Sequence, residues 1–441
     1  MRSSHTLARV PITFDEPNLV PNAGLIGPAA LAQKLGVAEV IDEVVKLPAD
    51  AVGRANCGTK AATVIGAMLA GGDSIDDVDV LRAGAAPELF DVQRAPSTIG
   101  TWLRGFDWGS VRQLDAVSRE ILARAWRAGL GPDLDEPLTI DVDSTICEVY
   151  GRGKQGAAFG YTKVRGYHPL LATCAETSDV LHARMRGGNA GSARGAGTFL
   201  RETLARVRDA GAAGPIVVRG DSAFWSRAVL AACRDHDTRF SVTIRQHKAL
   251  KTAIAAIDDD AWTPIPYWLD GGADVAETVY TAFTGTRDEI KLRLIVRRVP
   301  PTPGSQLAMD VVFDYHPFVT DRTGAMLELE ADHRAHARIE QTIRDLKAGG
   351  LAHLPSGKFN ANAAWFALAV LAHNLGRWTL AAAGEGWSTA TTQTLRAKLV
   401  SMPARLVHTA RRLQLRAPTR WPWRDALATA LDRIAAIPAP T

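Results

Sequence analysis

Cysteine is scarce in this sequence, and its placement excludes two common kinds of small stabilised domain. The 441 residues include four cysteines, Cys57, Cys147, Cys174 and Cys233, which lie far apart and form no Cys-x-x-Cys pair. Neither a zinc ribbon nor a disulfide framework is therefore indicated. We expect free thiols in a reducing cytoplasm.

Long apolar segments are also missing. The longest apolar run, Ala363 to Ala372, is too short to span a bilayer. The N-terminal residues MRSSHTLARVPITF lack the apolar core of a signal peptide. We therefore expect a cytoplasmic protein that has no membrane partner.

An excess of charge of one sign is absent overall but present locally. The net charge is only +4, yet the segment from Lys347 to Arg424 contains eleven lysines and arginines and one acid, Glu385. Such asymmetry indicates a surface that binds a polyanion, although a solvated basic tail is the alternative. Candidate DNA contacts in this segment are Arg411, Arg412 and Arg416.

The first of three widely separated acids lies in the run LTIDVDSTI. From Leu138 to Ile146 apolar and polar residues alternate, as in a half-buried strand, so Asp141 and Asp143 point to the same side. Carboxylates are depleted in strands. Two of them on one face indicate either a solvent-facing edge or a bound cation.

The second acid, Asp221, stands between an apolar run and a helical pattern. The run from Pro215 to Val218 is typical of a buried strand, and the stretch from Ser222 to His236 is typical of a helix. An acid at the carboxyl end of such a strand lies where open α/β sheets bind ligands. The alternative is that Asp221 caps the helix.

The third acid, Glu340, lies on a predicted helix among basic side chains. At 100° per residue one stripe of this helix is charged, and a neighbouring stripe is apolar and would pack on a core. The stripe is either a solvated face with i,i+4 ion pairs or a metal-binding acid flanked by phosphate-binding residues. Its members are His333, His336, Glu340, Arg344 and Lys347.

The predicted elements between the acids follow the order β-β-β-α-β-α-β, that of a ribonuclease H-like α/β core. The first acid falls on the first strand and the second acid after the fourth. Carboxylates from several elements suit Mg²⁺, which takes oxygen ligands and keeps several waters. Two such ions can support an in-line phosphoryl displacement.

Several motifs occur together in a specific order. They are IDVDST, RGYHPLLA, RMRGGN, VVRGDSAFW, RIEQTIRDLK and FNANAAWFALAVLAHNLGRW. In this combination the chain resembles the DDE transposases of bacterial insertion sequences, in the "thirteen-eighty" group of the "IS four" superfamily. The resemblance implies that Asp143, Asp221 and Glu340 are the catalytic, metal-binding acids, with Asp141 competing for the first position. It also implies two Mg²⁺ ions, for which Mn²⁺ substitutes.

Near the third acid the sequence departs from the superfamily pattern Tyr-x2-Arg-x3-Glu-x6-Lys. Glu340 and Lys347 match its last two positions, but His333 and His336 stand at the Tyr and Arg positions. A histidine is only fractionally charged near neutral pH. We expect neighbouring arginines to supply the missing phosphate contact, the candidates being Arg334, Arg338 and Arg344.

The resemblance further implies a reaction and its partners. A transposase of this group binds double-stranded DNA at terminal inverted repeats, cleaves it, forms a hairpin and joins the end to target DNA, acting as a homodimer near the bacterial nucleoid. Two alternatives are a catalytically inactive DNA-binding descendant and a glycoside hydrolase with paired carboxylates. The presence of all three acids argues against the first, and the basic segment against the second.

We predict five regions along the chain. They are a helical DNA-binding domain at residues 1–135, the first part of the core at 136–245, a β-rich insertion at 246–325, the second part of the core with the Glu340 helix at 326–380, and a helical, basic C-terminal region at 381–441. Within the insertion, Trp262, Tyr267 and Trp268 are either core aromatics or candidates for stacking on a flipped base.

Overall fold

The computed structural model describes residues 10–91, 93–160, 162–268, 272–300, 313–409 and 412–438. Within these ranges, helices pack around a large mixed sheet. The strands are β1 (Leu19–Val20), β2 (Leu138–Ser144), β3 (Cys147–Glu148), β4 (Ala158–Phe159), β5 (Arg165–Tyr167), β6 (Leu170–Cys174), β7 (Val180–Arg184), β8 (Ile216–Gly220), β9 (Arg239–Thr243), β10 (Thr263–Ile265), β11 (Ala273–Ala282), β12 (Ile290–Val299), β13 (Asp314–Thr320), β14 (Ala404–Thr409) and β15 (Arg412–Arg416). The helices are α1 (Ile26–Lys34), α2 (Val37–Val44), α3 (Cys57–Ala70), α4 (Ala86–Phe90), α5 (Pro96–Arg104), α6 (Trp108–Arg127), α7 (Ala196–Asp209), α8 (Arg227–Asp235), α9 (Lys248–Ala255), α10 (Met326–Arg334), α11 (Arg338–Lys347), α12 (Phe359–Ala383), α13 (Thr392–Leu395) and α14 (Arg424–Ala436).

The largest sheet in the described part of the chain has nine strands in the order β10-β11-β12-β13-β9-β8-β2-β6-β7. At its centre β2, β8 and β9 run parallel, whereas β6 is antiparallel to β2 and β7 is antiparallel to β6. Helix α7 joins β7 to β8, and α8 joins β8 to β9. The predicted β-β-β-α-β-α-β order therefore occurs as β2-β6-β7-α7-β8-α8-β9, with the short strands β3, β4 and β5 between β2 and β6.

Strand β2 lies in the middle of this sheet, between β8 and β6. Its apolar residues Leu138, Ile140 and Val142 are buried, as their alternation predicts, but Asp141 is completely buried too. The solvent-facing edge that could have explained the Asp-x-Asp pair is therefore wrong, and the two carboxylates need partners inside the protein.

The insertion between β9 and α10 forms antiparallel strands, as its alternating pattern predicts. β11 pairs with β12, β12 with β13, and β13 with β9. The inserted strands therefore extend the central sheet instead of forming a sheet of their own. A small apolar cluster of Val275, Ile295, Phe318 and Leu329 fastens α10 onto them.

Helix α12 is buried along nearly its whole length and covers the β7 edge of the sheet. The side-chain amide of Asn374 accepts a hydrogen bond from Val180 N at 2.9 Å and donates one to Val180 O at 2.9 Å. This polar exception in an apolar helix thus satisfies the backbone of an edge strand, which would otherwise be exposed to pairing.

We compared the described helices with the length and apolar character that a membrane span requires. In the described ranges no single helix is both long and apolar enough to cross a bilayer, and only Ala23–Lys34 together with Val37–Val44, bent by 49°, would pass by length and composition.

The helical C-terminal region predicted from the sequence is wrong in part. β14 and β15 form an antiparallel hairpin that pairs with β1 in a separate three-stranded sheet. Ala404 and Leu406 are buried while Arg405 between them is exposed, which is the period-2 pattern of a strand. That alternation is the signal that a helical interpretation overlooks.

Candidate active site

Two of the three acids lie at the same edge of the central sheet. Asp143 is near the carboxyl end of β2, and Asp221 follows directly after β8. The two strands are parallel neighbours in which Val142 pairs with Gly220, so the next residue of each strand is an acid. Neighbouring strands are about 5 Å apart, which places the two carboxylates side by side.

Each of these carboxylates is oriented by a backbone amide. Asp143 Oδ1 accepts a hydrogen bond from Ser144 N at 2.6 Å, and Asp221 Oδ1 accepts one from Ala223 N at 2.9 Å. In the described ranges no hydrogen bond to the Oδ2 atom of either acid accompanies these. One oxygen of each acid is therefore held by its own turn, and the other is free to bind a ligand.

The chain between Asp221 and α8 is a turn, so the helix predicted from Ser222 starts later. α8 begins at Arg227, and Ser226 is its N-cap, accepting a hydrogen bond from Val229 N at 3.3 Å. Asp221 therefore does not cap this helix. The five residues that follow it are the connection between strand and helix.

Glu340 joins the first two acids from α11, where it lies exposed in the first turn. Burial raises the pKa of Asp143 to about 6. The Ser144 amide and the charge of His336 oppose this rise, whereas the charges of Asp221 and Glu340 add to it. All these groups are thus close enough to act on one carboxylate. We call Asp143, Asp221 and Glu340 the acidic edge.

The acidic edge fits a hard divalent cation. Its donors are carboxylate oxygens from three different elements, the set that Mg²⁺ and Mn²⁺ prefer. Repulsion among these carboxylates is what raises the pKa of Asp143 beyond the effect of burial, and a bound cation would relieve it.

Asp141, the competing first acid, is engaged elsewhere. Arg219 of β8 grips it with two parallel hydrogen bonds of 2.7 and 2.8 Å, and the two residues are direct neighbours across the strands. Arg219 also contacts Asp332 of α10, at 3.0 Å from its carboxylate. This buried ion pair ties β2 and β8 to α10, so the two acids of β2 have different surroundings.

His336 links that ion pair to the acidic edge. Its Nδ1 donates a hydrogen bond of 2.9 Å to Asp141 Oδ1, and its charge acts on Asp143. With Nδ1 engaged, Nε2 is the nitrogen that remains for a ligand.

His333 does not share this position, although a continuous helix would place it on the same stripe. Its ring stacks on Phe318 at 4.1 Å, with Nδ1 2.8 Å from Ser241 Oγ and Nε2 3.0 Å from Thr243 Oγ1. Burial lowers the pKa of His333 well below its usual range, and His336 adds to the effect. A neutral ring with both nitrogens engaged is unsuited to gripping phosphate.

His333 leaves the predicted stripe because a break separates α10 from α11. Ala335–Ala337 form a turn of 3-10 helix, which has 3.0 residues per turn instead of 3.6. The extra rotation turns His333 toward β9 and β13, while His336 stays over the acids. The single helical wheel drawn from the sequence misses this change.

The predicted phosphate-binding residues of α11 are exposed beside Glu340, and the apolar positions of the helix face the core. In the basic segment, β15 pairs with β14, which in turn pairs with β1 in another sheet. The structure therefore does not bring this hairpin to the acidic edge. Arg411 lies outside the described residues. The exposed cations on these two elements are Arg338, Arg344, Lys347, Arg412 and Arg416.

The three aromatic candidates of the insertion differ in exposure. Trp262 is covered by Arg298, whose guanidinium lies 4.3 Å from the ring centre. Tyr267 is half-buried with Arg297 5.2 Å from its ring. Trp268 is 79% exposed, which makes it the most accessible of the three for stacking.

The sequence did not predict a second group of potential metal ligands. Asp115 of α6, His182 of β7 and Glu202 of α7 bring their ligand atoms within 4.8 Å of one another. Arginines already pair with these acids, at 2.8 Å for Arg206 and Asp115, and we call the group the arginine-paired cluster. Its arginines are Arg112, Arg184 and Arg206.

The arginine-paired cluster lies on the other face of the sheet. His182 pairs with Ala172, which pairs with Val142, and side chains alternate in direction along β2. Burial alone would raise the pKa of Asp115, but His182 and Arg206 hold it well below its usual range. Burial, aided by Arg206, lowers the pKa of His182 to about 4. This cluster is a charge-balanced network whose cations are its own side chains.

Comparison with known proteins identifies a family for this chain. Residues 3–439 match a family described as "Transposase DDE domain group 1". None of the curated proteins matches the chain. Among solved structures, a cryo-EM structure of a piggyBac transposase synaptic complex with hairpin DNA matches 96% of this chain and 85% of its own at 12% identity, with a TM-score of 0.38.

Proposed function

We propose that this chain, which belongs to the transposase DDE domain group 1 family, cleaves and joins DNA at the acidic edge. The observation that carries the proposal is the convergence of Asp143, Asp221 and Glu340 from two adjacent strands and a helix, where burial raises the pKa of Asp143 and the charges of the other two acids add to that rise. The 3-2-1-4-5 order of the central strands, counted along the chain from β2, supports a ribonuclease H-like core.

In this proposal the acidic edge holds two Mg²⁺ ions, and Mn²⁺ substitutes for them. When bound, such ions activate the attacking oxygen and stabilise the leaving oxygen of an in-line displacement at phosphorus. The Ser144 and Ala223 amides fix the two aspartates, so that little reorganisation is needed. Asp143 is the first acid because Asp141 is committed to Arg219.

His336 takes over the role of the arginine in the superfamily pattern. Its Nδ1 donates to Asp141, so in the imidazolium form Nε2 also carries a proton and donates a hydrogen bond to a phosphate oxygen at the acidic edge. Arg338, Arg344 and Lys347, exposed on α11, contact neighbouring phosphates. His333 has a structural role instead.

The DNA is the terminal inverted repeat of a bacterial insertion sequence of the "thirteen-eighty" group. A homodimer in the cytoplasm, near the nucleoid, cuts both ends by water attack and closes a hairpin with the freed 3′-hydroxyl. It then reopens the hairpin and joins the end to target DNA. The helical region 1–135 and the basic hairpin with Arg412 and Arg416 bind the end, and Trp268 is the favoured aromatic for a flipped base.

Cleavage of the cognate end tests this function. The substrate is the inverted repeat found in the DNA that flanks the gene, labelled on one strand. Asp143→Asn, Asp221→Asn and Glu340→Gln should each lower Mg²⁺-dependent cleavage by about a thousandfold or more while retaining end binding. Glu328→Gln, an exposed acid on neighbouring α10, is the matched control.

Three outcomes would contradict the proposal. Cleavage without a divalent cation would refute the metal mechanism. Full activity of Asp143→Asn together with loss in Asp141→Asn would reverse the choice of first acid. A wild-type chain that binds the end but never cuts it would favour the inactive DNA-binding alternative.

A further inference from the structure

The short strands β3, β4 and β5 form a small sheet in the order β3-β5-β4, inserted between β2 and β6. They follow Asp143 directly, so this small sheet begins at the acidic edge. Two large apolar side chains on it are exposed, Tyr150 by 76% and Phe159 by 68%. An exposed aromatic ring can stack on a nucleotide base.

The turn that carries Tyr150 is held in place. Gly151 adopts a φ of 92°, a conformation that favours glycine. Arg165 donates to the carbonyls of Gly151 and Arg152, at 2.9 Å for Arg152 O. Tyr150 is therefore exposed on an ordered turn.

The small sheet is also anchored to the chain that follows α11. Gln155 N donates to Gly357 O at 2.8 Å, and Phe359 N donates to Gln155 Oε1 at 3.2 Å. Lys154 Nζ bonds Leu354 O. These bonds fix the distance between the small sheet and the end of α11.

Between them lies an open cleft of about 620 Å³. Its walls include apolar, aromatic and basic side chains, and Lys347 projects from the helix that also carries Glu340. Seven residues of helix at about 1.5 Å each separate Glu340 from Lys347 by about 10 Å along α11. The residues of the cleft used here are Ile146, Tyr150, Lys347 and Leu354.

The charge of the small sheet fits a nucleic acid strand. Residues 147–167 contain four basic side chains and a single acid, Glu148. An exposed aromatic next to cations is the combination that binds unpaired nucleotides, since the ring stacks on a base and the cations contact phosphates. The basic residues are Arg152, Lys154, Lys163 and Arg165.

We propose that this cleft binds an unpaired DNA segment next to the scissile phosphate, about 10 Å along α11 from Glu340, with Tyr150 stacked on a base and Lys347 on a phosphate. The inference rests on the proposed function, because the segment becomes unpaired when the end is opened for cutting. It assigns the stacking role to the small sheet, separately from Trp268 in the insertion.

The test compares binding of two fluorescein-labelled DNAs to the full chain in EDTA, a blunt inverted-repeat duplex and the same duplex with a short oligo-dT overhang. Wild type should prefer the overhang about tenfold, because one stacked base contributes about 1–3 kcal/mol. Tyr150→Ala should lose that preference without weakening blunt-duplex binding. Tyr150→Phe should keep it, because its ring still stacks on a base.

The proposal is overturned if wild type shows no preference, if Tyr150→Ala retains it, or if Tyr150→Phe loses it. A different oligomeric state of Tyr150→Ala in sedimentation would show a contact between copies and also overturn it. Because the assay contains no metal, it is independent of catalysis. A wild type that prefers the overhang but fails to cut with Mg²⁺ would refute the proposed function and leave the stacking site standing.

Discussion

The central sheet carries two groups of acids with a nearby histidine, and they differ in what balances their charge. In the arginine-paired cluster, Arg206 and two further arginines compensate the acids, and the pKa of Asp115 lies below its usual range. At the acidic edge, other carboxylates add to the effect of burial, and the pKa of Asp143 rises to about 6. Burial acts alike on both, so the neighbouring charges decide the sign.

This difference distinguishes a network balanced by its own arginines from the site that we propose binds metal. Within the described residues, ligand atoms lie within 4.8 Å of one another in the arginine-paired cluster, but its arginines already supply the cations. The acidic edge favours a cation from solution. Spacing alone would therefore select the arginine-paired cluster, whereas the balance of charge favours the acidic edge that we propose.

Removing a cation from the arginine-paired cluster should have the largest effect on stability. Arg206→Met removes the buried guanidinium that pairs with half-buried Asp115 at 2.8 Å, and breaking such a pair costs about 3–5 kcal/mol. The free energy of unfolding in urea measures it. The double variant Asp115→Asn Arg206→Met should recover much of the loss, and a single variant as stable as wild type would show that the network does not hold the fold.

Removing an acid from the acidic edge should have the opposite effect. Because the pKa of Asp143 is raised in the folded chain, its contribution to stability is present below the unfolded value near 3.8 and is lost as pH rises through about 6. In EDTA at pH 8, Asp143→Asn should therefore stabilise the chain by on the order of 2 kcal/mol. Thermal unfolding followed against pH should show this gain shrinking below pH 6.

A destabilised Asp143→Asn at pH 8, or a gain that does not change with pH, would mean that the carboxylates of the acidic edge do not repel one another. Glu328→Gln serves as the control, since this exposed acid lies on α10, outside the acidic edge.

A smaller effect is expected at His336, which connects the buried ion pair to the acidic edge. His336→Ala should lower cleavage about tenfold, because one hydrogen bond to a charged group contributes about 1.5–3 kcal/mol. His336→Arg should keep or tighten end binding, measured by fluorescence anisotropy. A large loss in His336→Arg would show that this position does more than contact a phosphate.

Much of the acidic edge could be predicted from the sequence because local patterns identify strands and their ends. The alternation around Asp143 and the apolar run before Asp221 are local, and parallel neighbouring strands bring their carboxyl ends together. The partners of the acids are not local. That Arg219 pairs with Asp141 depends on strand register, which no pattern near either residue reveals.

The geometry of the helix that carries Glu340 also limited what the sequence could predict. The stripe from His333 to Lys347 assumes one uninterrupted helix, and the 3-10 turn at Ala335–Ala337 invalidates it for His333. The arginine-paired cluster was missed because α6, β7 and α7 contribute one ligand each, from positions 115, 182 and 202. No short motif connects them.

Mn²⁺ binding to the full chain at pH 8, followed by the electron paramagnetic resonance signal of the free ion, tests the central claim most directly. Wild type should bind Mn²⁺, Asp143→Asn and Asp221→Asn should lose that binding, and Glu202→Gln in the arginine-paired cluster should bind as wild type does. Binding that survives in Asp143→Asn, or disappears in Glu202→Gln, would contradict the assignment of the acidic edge as the metal site.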